Sequence, residues 1–149
     1  MAFAATIALL TLAMTFGTAG AASPSASVAP SVVGDGIPQP LATAGDAGRG
    51  LRLIVARENA NCVLCHAIPD AAVRFAGDVG PSLAGVGTRL TVAQLRLRVA
   101  DNLRLQPATI MPSYYKVDGL SGVASAYRDK PILSAAEVED VVAYLATLR

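Results

Sequence analysis

Residues 62 to 66 read Cys-Val-Leu-Cys-His, and they hold both cysteines and the one histidine of the chain. Two thiols two residues apart, with an imidazole directly after the second, form the pattern that tethers a c-type haem. Each sulfur adds to a vinyl group as a thioether, and the imidazole bonds the iron from one face. Val63 and Leu64 let a short turn bring both sulfurs to one porphyrin edge, with His66 under the metal. Three other chemistries use Cys-x-x-Cys. A tetrahedral zinc site needs about four ligands, and beyond these residues only carboxylates remain to complete it. A thioredoxin-like dithiol expects a βαβ pattern, and no alternating strands surround the motif. A lone disulfide leaves the position of His66 unexplained. The run therefore predicts one covalent haem c on Cys62 and Cys65, with His66 as a ligand of the iron.

The iron has a second axial position. Met1 and Met14 fall in the apolar N-terminal segment, which leaves Met111, in Thr109-Ile110-Met111-Pro112. Pro107 and Pro112 flank it and would stiffen a loop that holds the thioether in place. The ordinary use of a lone methionine is core filling, but the loop context favours ligation. Lys116 is the next candidate, followed by Tyr114 or Tyr115. A Met/His pair raises the reduction potential and closes the iron to small ligands, so an electron acceptor is expected and oxygen or peroxide chemistry is not. Gly80-Pro81 is either a plain loop turn or the segment that passes the proximal side, where His66 Nδ1 needs a hydrogen-bond partner.

These residues must be carried by a scaffold, and its elements are readable. Residues 2 to 22 carry no charge, running apolar to about Phe16 and then into small residues. They read as a secretory signal peptide over 1–22, cleaved near Ala19-Gly20-Ala21-Ala22. The strongly apolar part is shorter than the ~20 residues of a membrane span. Residues 23–45, with four prolines and one charge, read as a linker or an extended N-terminal arm with no core of its own. The domain is expected over 46–149. Asp46 caps a helix predicted over 47–59, with Leu51, Ile54 and Val55 on one side. Residues 67–90 are rich in Gly and Pro and predict loop. Thr91 and Gln94 form a capping box for a second helix, with Val92, Leu95, Val99 and Leu103 as its core face. An irregular stretch follows through Pro131. Ser134 and Glu137 form another capping box, and Val138, Val141, Val142, Leu145 and Leu148 give the last helix a continuous apolar stripe. Glu137, Glu139 and Asp140 suit the positive end of its dipole. Tyr144 is expected to cross the first helix near Gly48 or Gly50, or simply to fill the core. The fold class is all-α.

Charge narrows the partners. Twelve basic and eleven acidic residues leave a formal +1, and nothing suggests nucleic acid or a membrane span in the mature form. Arg89, Arg96, Arg98 and Arg104 form a basic cluster without interleaved aromatics. It is either a solvated helix face or a docking patch for an acidic redox partner.

With these residues in view, 47–149 resembles the class I cytochrome c fold, which brings an N-terminal helix, Cys-x-x-Cys-His, a distal-loop Met and a C-terminal helix crossing the first. The strings NCVLCHAIPD, GDVGPSLAGVGTRLT, TIMPSYYKVDGL and ILSAAEVEDVVAYLATL resemble the SoxX family, the monohaem subunits of SoxAX cytochrome complexes of sulfur-oxidising bacteria. The resemblance implies Cys62 and Cys65 as thioether sites, His66 as proximal ligand and Met111 as distal ligand. It also implies a periplasmic heterodimer with a SoxA-like cytochrome and an L-cysteine S-thiosulfotransferase reaction on a SoxYZ-like carrier. The reactive cysteine would lie on SoxA. This chain would accept the released electrons and pass them to a downstream cytochrome. A free-standing cytochrome shuttle and a haem-based gas sensor with an open sixth site are the competing readings.

Overall fold

The structure, a computed structural model, describes Met1 and residues 29–70 and 73–149; the expected signal segment lies outside these. Among the described residues, four helices carry the fold, α1 Ala47–Val55, α2 Val86–Arg89, α3 Val92–Asp101 and α4 Ala135–Thr147, and short 3₁₀ turns lie at Cys62–Leu64, Asn102–Arg104 and Ser125–Tyr127. Among the described residues there is no strand, only an isolated bridge between Val33 and Gly36.

Three N-caps act as their side chains dictate. Asp46 accepts from Arg49 N, and Thr91/Gln94 and Ser134/Glu137 both close as full capping boxes. Helix α1 stops at Val55, short of the expected 59: Ala56 turns extended while its N–H still bonds Arg52 O. The residues that follow, Arg57, Glu58 and Asn59, are exposed and offer no apolar face to extend it.

The packing centre is the crossing of α1 and α4. Ile54 meets Val138, Val141, Val142 and Leu145, all essentially buried. The close approach needs Gly50, where a Cβ would overlap the Asp140 carbonyl and press on Tyr144 Cβ. Gly48 is not the contact point, since a Cβ there would meet only the Asp46 side chain and the tip of Arg52.

Helix α3 departs from its expected single face. Val92 is 46% exposed, whereas Leu97 is fully buried. The reason is the arm. Residues 29–45 lie against the domain, and Ile37 packs with Leu97 and Ala100 in a second apolar cluster. Ile37 N donates to Ala93 O (2.9 Å). Arg96 is buried too, which removes it from any basic surface: it forks onto Glu139 (Nε–Oε1 2.6 Å, Nη2–Oε2 2.9 Å) and donates to Ile37 O. Leu41 N donates to the same Glu139 (2.9 Å). Glu139 and Asp140 are therefore buried partners, not solvated dipole charges. Asp140 accepts from Asp46 N and from both Arg49 Nε and Nη2, each at 2.7 Å. These bonds hold its carboxyl below the usual carboxylate range.

Candidate haem site

The Cys62–His66 run is shaped locally and then pinned from outside. Asn61 sits in the left-handed region (φ 47°), which asparagine tolerates better than most residues. The next residues wind into a tight turn, closed by Cys65 N and His66 N on Cys62 O (3.1 and 2.9 Å). Buried Val63 anchors that turn in the core. The loop 77–83 then runs alongside it, through Gly77 N to Val63 O, Gly80 N to Cys65 O and Leu83 N to Ala67 O (2.8, 2.8 and 2.9 Å).

That loop fixes the imidazole. His66 Nδ1 is 2.7 Å from Pro81 O. A carbonyl can only accept, so Nδ1 carries the proton and Nε2 keeps a free lone pair. Gly80 lies flat against the ring, and a Cβ there would overlap it. The Gly80-Pro81 segment is thus more than a turn: it sets the tautomer and the orientation of His66.

Cys62, Cys65, His66 and Met111 all line one cavity of about 550 Å³. Its wall is mainly apolar and is built by the core itself, including Leu95, Val99, Leu133, Val141 and Leu145. Such a size and lining suit an organic cofactor. The two cysteines are not joined to each other. Burial pushes the Cys62 thiol up to about 11, partly offset by the adjacent Tyr114 hydroxyl, so before any attachment it is a thiol at neutral pH. Burial likewise raises the Tyr114 phenol, whose hydroxyl donates to Ala60 O (2.8 Å). Among the described residues no group of three or more Cys, His, Asp or Glu is placed to hold a metal ion directly.

Met111 lies on the loop after α3 and lines the same cavity. Thr109 Oγ1 accepts from Met111 N and from Asn102 Nδ2, both at 3.1 Å. On the far side of Met111, Ser113 Oγ and Lys116 Nζ bond Asp101 (2.9 and 3.4 Å). Lys116 is thereby turned to a carboxylate and is not on the cavity wall; Tyr114 is on it, Tyr115 is not. Asn102, Thr109 and Tyr114 were missed as supports. Their only signal in the sequence is that Thr109 lies two residues before the methionine, a spacing that permits a side-chain-to-backbone bond.

Comparison with known proteins agrees with this geometry. The family model for cytochrome c matches residues 55–149. A solved structure described as the crystal structure of SoxXA from P. pantotrophus is similar at 37% identity and a TM-score of 0.70, covering 76% of this chain and 90% of that one. No curated protein matches the sequence. A pair of thiols, an imidazole with its outward nitrogen free and a thioether, set around one apolar cavity, fit a covalently held porphyrin, and by sequence and fold alike the chain belongs to the cytochrome c family, with haem c as its cofactor.

Proposed function

We propose that this chain is the monohaem, electron-accepting subunit of a periplasmic SoxAX-type thiosulfate-oxidising complex. The observation that carries the reading is the 37% identity with SoxXA, sustained over most of both chains. Bound haem c supplies a one-electron iron couple. Cys62 and Cys65 would hold it through thioethers, His66 Nε2 and the Met111 sulfur would bind its iron, and the core side chains exclude water.

The reaction class fits the residues present. Joining thiosulfate to a cysteine thiol as an L-cysteine S-thiosulfotransferase releases an electron pair and a proton. Both thiols of this chain are engaged by haem, so the reactive cysteine belongs on a SoxA-like partner and the substrate thiol on a SoxYZ-like carrier. This subunit takes up electrons and hands them to a downstream cytochrome. Export agrees with the charge-free residues 2 to 22, and among the described residues no helix is long and apolar enough to cross a membrane.

Co-expression with a SoxA-like cytochrome in a haem-attaching periplasm tests the reading. A heterodimer with one covalent haem on this chain is expected. A haem-loaded monomer that ignores the partner would overturn the subunit role and leave the free shuttle. Carbon monoxide binding by the ferrous protein would instead favour the gas sensor.

A further inference from the structure

The two segments that would hold the cofactor are pinned separately. The cysteine turn is bonded to the loop 77–83. The methionine loop is bonded to α3 and its end: Thr109 to Asn102, Ser113 and Lys116 to Asp101, and the amides of Tyr114 and Tyr115 to Val99 O and Ala100 O, both at 3.2 Å. Each of these bonds fastens a segment to its own neighbour, and none joins the two.

One side chain does join them. Tyr114 is 6% exposed, lines the cavity and lies three residues after Met111. Its hydroxyl donates to Ala60 O, two residues before Cys62, at 2.8 Å. Among the described residues this is the one hydrogen bond from residues 109–116 to residues 59–66. The backbone of Tyr114 is also fixed on both sides, since its amide donates to Val99 O and its carbonyl accepts from Leu133 N (2.9 Å). Ala60 is itself buried, and among the described residues the phenol is the one donor on its carbonyl. A buried carbonyl left without a partner is costly.

Swinging the methionine loop off the cavity breaks this bond, so the bond opposes release of the sulfur. Without the hydroxyl, the closed arrangement would carry a stranded carbonyl, whereas an open one lets water reach it. The balance then moves towards open. We infer that Tyr114 is the positioning residue that keeps Met111 on the haem iron, a latch between the methionine loop and the cysteine turn; the inference rests on the haem assignment. The latch sets how readily the sixth site admits an outside ligand.

The test uses full-length, haem-loaded ferric protein, with imidazole as the entering ligand and the sulfur–iron charge-transfer band as the second reading. Tyr114→Phe should bind imidazole at least about threefold more tightly than wild type and show a weaker band. Two controls should stay at wild-type values: Tyr115→Phe, which removes a neighbouring hydroxyl that does not line this cavity, and Gly50→Ala, which disturbs the helix crossing instead. Placing 4-aminophenylalanine at position 114 keeps a donor there and should return both readings towards wild type. Placing 4-methylphenylalanine there fills the volume of the phenol without a donor, and it carries the test if Tyr114→Phe fails to accumulate. Imidazole affinity unchanged in the donor-free variants, or raised no more than in Gly50→Ala, would overturn the latch and leave the haem assignment intact. Wild-type protein with covalent haem but no such band would remove Met111 as ligand and the latch with it. Wild-type protein without covalent haem would overturn the haem assignment as well.

Discussion

His66 and Met111 approach the cavity from unlike supports. The histidine is clamped by a carbonyl and by the bare face of a glycine. The methionine hangs on a loop tied at both sides to the end of α3. Replacing Met111 with Ala should lower the reduction potential and remove the sulfur–iron charge-transfer band of the ferric protein; an unchanged spectrum would show that another residue binds. Gly80→Ala should act on the histidine instead. Its methyl group overlaps the imidazole, so the ring must turn or the Pro81 bond must lengthen, and the variant should load less haem under the same expression conditions. Equal loading and an identical potential would count against that clamp. Cys62, Cys65 and His66 could be singled out in the sequence because they stand in adjacent positions, and they line one cavity. The supporting role of Tyr114 was not legible, since a side chain bonding a carbonyl 54 residues away leaves no local pattern.

At the scale of elements, α4 was readable to within a residue because one capping box and one apolar stripe define it. Helix α3 was not. Two partners cover it, the cavity wall on Leu95 and Val99 and the arm on Leu97 and Ala100, and a helix buried on two sides loses the single periodic face. The Arg96–Glu139 pair is the joint between these layers. Arg96→Met alone should destabilise the protein by about 3–5 kcal/mol, because it strands a buried carboxylate. Arg96→Met with Glu139→Leu should cost less than the sum of the single changes, as a double-mutant cycle by denaturant unfolding would measure. Gly50→Ala sets two effects against each other. Helix propensity favours alanine by up to about 1 kcal/mol, whereas forcing a methyl group into the Asp140 backbone costs about 1–3 kcal/mol or more. The clash should prevail, and a rise in Tm would show that the helices separate without penalty.

For the whole molecule, acid is the expected weakness. Asp140 titrates below the unfolded value of about 3.9, because Arg49 and the Asp46 amide favour its ionised form. It therefore adds stability above that unfolded value, and the contribution fades as pH falls through the lower folded value. The gap in Tm between wild type and Asp140→Asn should narrow below about pH 4; a constant gap from pH 7 to 3 would assign the effect to packing. The order of α1, the haem motif, α3 and α4 was legible from caps and spacing, but α2, a single turn inside the expected loop 67–90 with no side-chain cap, was not, and neither was the docking of residues 29–45, since a Pro-rich segment reads as unattached until its partners are seen. That docking bears on how the chain is made. Glu139 holds the Leu41 amide across a sequence separation of 98 residues, and Asp140 holds Asp46 across 94. A domain whose residues 41–46 are fastened to α4 cannot close while α4 is still inside a ribosome or a transport pore. The two thiols, near the middle of the sequence, emerge earlier, so there is an interval in which a porphyrin can be stitched to an open strand before the last turn seals the wall around it.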